Sequence, residues 1–172
     1  MAWRISVLSF VLVSSVFMYH TEAGGGDKMK LTSPAFKENA LIPEKYTGEG
    51  DDINPPLIVN GIPGGTKTMA LIVDDPDAPA GTWVHWVVYD IPVIPEIEED
   101  SVPGKLGTND SNGSGRYGGP YPPPGKPHRY VFKIYALDNS IGLGEGARKE
   151  DVEEAMKGHI LDRAELTGLY KR

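Results

Sequence analysis

Three carboxylates and a histidine stand where a buried core would be expected. The stretch Asp74-Asp75-Pro76-Asp77-Ala78-Pro79-Ala80-Gly81-Thr82-Trp83-Val84-His85 joins two apolar runs, Met69 to Val73 and Val84 to Tyr89. Polar groups in such a setting cost free energy unless they are paired, so Asp75, Asp77 and His85 read as a working set: a small polar pocket in an apolar wall. A second stretch, Arg116-Tyr117-Gly118-Gly119-Pro120-Tyr121-Pro122-Pro123-Pro124-Gly125-Lys126-Pro127-His128-Arg129-Tyr130, has the makings of a ligand loop. Paired glycines allow backbone N–H groups to face a ligand, and the prolines around them leave few alternative conformations.

The elements that must position these groups are strands. Thr66 to Val73 reads as a strand buried on both faces, with Met69, Leu71, Val73 and Asp75 on one side and Ala70, Ile72 and Asp74 on the other. The same alternation puts Trp83, His85, Val87 and Tyr89 together in the strand Trp83 to Asp90, so Asp75 and His85 would meet at neighbouring strand ends. Pro76 and Pro79 stiffen the crossing, and an Asp-Pro or Ala-Pro bond there is a place to expect a cis peptide. His128 opens a third strand to Leu137, with His128, Tyr130, Phe132, Ile134 and Ala136 on one face and Val131, Lys133, Tyr135 and Leu137 on the other. After Gly146 the period becomes helical: Val152, Ala155, Met156, His159 and Ile160 form one apolar stripe, with His159 read as a packed residue. Ala164 to Tyr170 closes the chain as a strand. Between these elements, the Gly- and Asn-rich segment 104–119 is long enough for a functional or mobile loop, and Glu49, Asp51 and Asp52 read as a solvated acidic turn.

Composition narrows the class. The 172 residues carry a formal charge of −7, with no cluster of Lys and Arg to neutralise a phosphate backbone, which argues against a nucleic-acid partner. There are no cysteines, hence no disulfides and no thiolate chemistry. The 21 glycines and 15 prolines, set between short β-rich segments, point to a turn-rich, mostly β fold. At the N-terminus, Met1 to Arg4, the apolar Ile5 to Met18 and the small residue Ala23 have the layout of a secretory signal peptide, residues 1–23, ahead of a single domain, residues 24–172. Export to a periplasm or the cell exterior is the expectation. The apolar run is short of the ~20 residues a stable membrane span needs.

The ordered pair of motifs, Asp75-Pro76-Asp77-Ala78-Pro79 with Trp83-x-His85 and then Gly119-Pro120 with His128-Arg129-Tyr130, resembles the phosphatidylethanolamine-binding protein (PEBP) family, most closely its bacterial and archaeal, Raf kinase inhibitor-like branch. The resemblance runs from Leu31 to Lys171. It implies a Greek-key β fold with a large central antiparallel sheet, a smaller second sheet and peripheral helices. It also implies a pocket for phosphate-like anions or phosphorylated, phospholipid head-group-like small molecules, matched here by Asp75, Trp83, His85, Gly119, Pro120 and His128, with Gly118 adjacent. In that pocket two imidazoles would donate hydrogen bonds to phosphate, the Gly118 and Gly119 amides would complete a cradle, and Asp75 would orient one ring or accept from a ligand ammonium group. Binding would tighten as pH falls through the histidine range. The longer eukaryotic members carry a C-terminal helix at the pocket, whereas this sequence runs out after its last strand, so a more open mouth is expected.

Such a site binds rather than catalyses, and needs no cofactor. Asp75, His85 and His128 do compose the two-histidine, one-carboxylate set of non-haem iron enzymes, but without a His-x-Asp/Glu pair. Nucleophilic catalysis has no Gly-x-Ser-x-Gly elbow and no cysteine to work with. The main alternative is an inhibitor or regulatory protein whose pocket receives a phosphorylated or acidic group of a kinase, peptidase or other protein partner.

Overall fold

The computed structural model describes residues 28–113 and 115–172, so the expected signal peptide lies outside the described residues. Among the described residues, nine strands and one α-helix follow one another. They are β1 (Lys30–Thr32), β2 (Ala40–Leu41), β3 (Leu57–Asn60), β4 (Thr68–Asp75), β5 (Trp83–Ile91), β6 (Glu96–Ile97), β7 (Lys105–Leu106), β8 (His128–Leu137), α1 (Lys149–Met156) and β9 (Ile160–Tyr170). A 3₁₀ turn at Glu44–Tyr46 lies between β2 and β3.

Six strands form the main sheet in the order β2-β9-β8-β4-β5-β7, and β1, β3 and β6 form a smaller antiparallel one. All main-sheet pairings are antiparallel except the short parallel pair of β2 with β9, which makes the large sheet mixed. Alternation along β4 builds two cores at once. Met69, Leu71 and Val73 join Phe132 and Ile134 under the small sheet, while Ala70 and Ile72 pack with Val152 and Met156 of α1. The central strands carry apolar residues at consecutive positions because both sheet faces are covered.

Alternation fails in β5. Asp74 pairs with Val84 but Val73 pairs with Trp86, which leaves His85 as an extra residue. A second irregularity lies at Asp90, whose φ is +51°, between the pairs Leu71–Val88 and Met69–Ile91. The first bulge separates His85 from Val87 and Tyr89. Those two enter the α1-side core, whereas the His85 ring packs edge-on against Tyr130 at 5.1 Å on the other face. A strict period of two therefore misplaces the histidine.

Three further expectations change. Among the described residues no peptide bond is cis, so Pro76 and Pro79 follow trans bonds and the crossing turns through residues such as Gly81, at φ +109°. The helical stripe ends at Met156 because Lys157 leaves helical geometry and Gly158 takes φ +79°. His159 is thus outside the helix, half exposed, with Nδ1 2.8 Å from Asp138 Oδ1. The segment after β7 is tied along the outer edge of β5: Gly107, Asp110 and Gly118 donate backbone N–H bonds to the carbonyls of Val87, Val84 and His85. It covers an edge that would otherwise carry unpaired backbone groups.

Candidate functional site

The ends of three central strands converge on one cavity. Asp75 closes β4, Trp83 and His85 open β5, and His128 opens β8, all at the same end of the sheet. The cavity holds about 510 Å³ and is lined by Asp75, Trp83, His85, Gly118, Gly119 and His128, with Asp52, Ser111, Tyr121 and Tyr130 among the others. Of the seven residues singled out from sequence, only Pro120 does not line it; its carbonyl accepts the N–H of Gly48, which does.

Asp75 is 3% exposed, and both of its oxygens are used. Oδ1 accepts the N–H of Asp77 at 2.8 Å, and Oδ2 lies 2.7 Å from His128 Nδ1. The carboxylate thus fixes the His128 ring, whereas His85 takes its orientation from elsewhere. His85 Nδ1 lies 2.6 Å from the carbonyl of Gly118, whose N–H returns to the His85 carbonyl. Burial pushes the His85 pKa below the ordinary imidazole value, against the opposing pull of the Gly118 carbonyl and the nearby Asp75 charge. Burial, and then Asp75, push the Tyr130 hydroxyl up, so it stays protonated.

The glycine pair has a different use from the one its sequence suggests. The Gly118 amide is spent on His85 and the Gly119 amide on Asp52 Oδ1. What the pair permits is close approach. A Cβ on Gly118 would lie 2.4 Å from Ser111 Cβ, and one on Gly119 would lie 2.7 Å from both Thr47 Cα and the Tyr46 carbonyl oxygen. The acidic turn is likewise engaged: Asp52, at φ +56°, anchors Gly119, and Glu49 accepts from Tyr170.

Asp77 lies at the rim, where Arg129 Nε and Nη2 grip its two oxygens at 2.9 and 2.7 Å. That guanidinium holds the Asp77 carboxyl down at about 2. Trp83, 40% exposed, donates Nε1–H to Ser111, and Tyr121 stands 56% exposed with Arg172 over its ring. No Lys or Arg lines the cavity among the described residues, nor do three His, Asp or Glu side chains there form a group able to hold a metal. Tyr130 and Asp52 escaped sequence reasoning. Tyr130 was within reach, since it shares a strand face with His128, but nothing local tied Asp52 to a glycine 67 residues later.

Comparisons with known proteins bear on the family and the fold. A family model described as phosphatidylethanolamine-binding protein matches residues 32–171. A UPF0098 protein of Methanothermobacter thermautotrophicus is 49% identical over 84% of this chain and 99% of its own length. One of Aquifex aeolicus is 47% identical over 94% of this chain and 99% of its own. Among solved structures, a phosphatidylethanolamine-binding protein homologue from Chlamydia trachomatis superposes with a TM-score of 0.80 at 41% identity, covering 84% of this chain and 98% of that one. Escherichia coli YbcL, described as a member of the mammalian PEBP family, gives 0.78 at 31% identity, over 84% and 99%. With the family model spanning nearly all the described residues, and whole relatives matched at this identity, the chain belongs to the phosphatidylethanolamine-binding protein family.

Proposed function

We propose that the cavity binds phosphate-like anions or phosphorylated small molecules without chemical turnover. The observation that carries this reading is the pair of imidazoles, His85 and His128, lining one apolar-walled cavity with the Asp75 carboxylate fixed behind one of them. A charged His128 would keep an ion-pair partner at 2.7 Å while its free nitrogen donates to an anion. The apolar rim of Trp83, Tyr121, Pro122 and Pro123 suits the organic part of a phosphorylated ligand. Export by the N-terminal segment would place this binder outside the cytoplasm.

An NMR titration at pH 6 with phosphorylethanolamine, then inorganic phosphate, tests the reading. Saturable shifts centred on His85, His128 and Gly119 are the expected result. Their absence at millimolar ligand would remove it.

A second reading rests on the exposure of Trp83 and Tyr121 at the mouth, since aromatic side chains of this kind serve as anchors for protein partners. Here the cavity would receive a phosphorylated or acidic group of the partner. Capture experiments with the wild type and His85→Ala separate cavity-dependent from general surface binding.

A further inference from the structure

At its two imidazoles, the cavity proposed to take an anion presents, at rest, acceptors. A carbonyl oxygen can only accept, so His85 Nδ1, 2.6 Å from the Gly118 oxygen, must carry a hydrogen. The same holds for His128 Nδ1, 2.7 Å from a carboxylate oxygen of Asp75 whose other oxygen already accepts a backbone N–H. Each neutral ring therefore keeps its only N–H on Nδ1. Both Nε2 atoms are left as lone pairs, and neither meets a protein donor among the described residues. The amides of Gly48, Asp77, Gly118 and Gly119 are all engaged, and Asp52 and Asp75 add negative charge to the wall.

The hydroxyls of Ser111, Tyr121 and Tyr130 also line the cavity, but at the two Nε2 atoms a phosphate oxygen meets lone pairs and needs a proton from elsewhere. A phosphomonoester monoanion brings one on its P–OH group. A phosphodiester, the form in an intact phospholipid head group, bears the same single charge and has no P–OH.

We infer that the cavity selects phosphomonoesters in their singly protonated form: His128 charged and donating from Nε2 to P–O⁻, and His85 neutral, accepting from P–OH at its Nε2. The assignment of roles follows from their partners. A charged His128 has the Asp75 carboxylate behind it, whereas His85 has a neutral carbonyl. The charges around His85 are Asp75 and Asp74 on β4 and Asp110 on the covering loop, opposed by its burial. Around His128 stand Asp75 and Asp77, the latter neutralised by Arg129. In this arrangement a diester leaves the His85 lone pair facing a phosphate oxygen, two acceptors with no proton between them. The inference rests on the anion-binding reading above.

Calorimetric titration of the full chain at pH 5 with methyl phosphate and dimethyl phosphate tests it. Both probes are small and carry close to one negative charge, because the second pKa of a phosphomonoester is about 6. The monoester is expected to bind about tenfold or more tightly, the worth of one hydrogen bond to a charged group. The His85→Asn variant, whose amide can donate where the imidazole accepted, is expected to narrow that ratio. Equal or tighter binding of dimethyl phosphate by the wild type would overturn the proton-selection inference while leaving anion binding intact. No binding of either probe at millimolar concentration would overturn both.

Discussion

Asp74 and Asp75 are adjacent, both nearly inaccessible, and lead opposite lives. The strand sends Asp74 to the helix side of the sheet, where Lys133 Nζ lies 2.8 Å away and Lys149 Nζ 2.7 Å away. Asp75 faces the cavity and meets an imidazole and a backbone amide. The first carboxylate is held by permanent cations, and one of them belongs to α1, so it pins the helix to the sheet. The second is paired with an imidazole ring that opens onto the cavity. Neighbouring residues of one type are thus divided between structure and function by the pleat of a strand and by what the opposite chain supplies.

Substitutions can break this contrast. The largest effect on folding is expected from Asp74→Ala, which strands two lysines against the sheet. A loss of about 3 kcal/mol in urea denaturation is the expectation, with ligand affinity at pH 6 little changed. Asp75→Asn should invert that pattern. Its cost to folding is about 1–2 kcal/mol, but an uncharged partner no longer supports an imidazolium at His128, and phosphate affinity at pH 6 should fall about tenfold or more. If the two variants behave alike, the division of labour is wrong.

Gly119→Ala should fall in the same range of folding stability, about 1–3 kcal/mol, because its Cβ meets backbone on the Thr47 side. Its effect on affinity reads how rigidly the Asp52 anchor holds the cavity wall.

The sign of the pH effect follows from His85. Its folded pKa is depressed, so the unfolded chain binds a proton that the folded chain refuses. Its contribution is complete above about pH 6.5 and declines below it, with a slope of at most about 1.4 kcal/mol per pH unit. Thermal melts across pH 5 to 8 should show that decline for the wild type and a shallower one for His85→Asn. Saturating phosphate should flatten it, because the singly protonated anion the cavity is inferred to take becomes more abundant as pH falls. The smallest effect belongs to Arg129→Gln at the rim, where an exposed ion pair is screened by water and salt; its melting curve should overlay that of the wild type.

Much of the frame was legible in the sequence. The apolar runs located β4, β5 and β8, and alternation assigned the faces of β4 and β8, with Lys133 opposite His128, but it brought Asp75 to His85 whereas the carboxylate bonds His128. What could not be read was decided by distant segments. The bulge at His85 depends on how β5 registers against β4 and on the covering loop that bonds the His85 carbonyl. Gly118 and Gly119 looked like anion-binding amides because their sequence shows freedom of approach but not what approaches. Asp52, from a turn that looked merely solvated, supplies the answer. His159 shows the opposite limit: its spacing was helical, but Gly158 had already ended the helix.

The pairing of β4 with β8 matches Thr68 to Leu137 and Asp74 to Val131, partners far apart along the chain. The cavity draws on Asp52, Asp75, His85, Gly118 and His128, so the complete site exists in no hairpin or other local fragment. Contacts of such long range are slow to form during folding, since the loops must close before the pairing rewards them. Binding competence should consequently arrive late on the folding pathway. A bound anion would therefore slow the release of the whole sheet rather than the opening of a single loop.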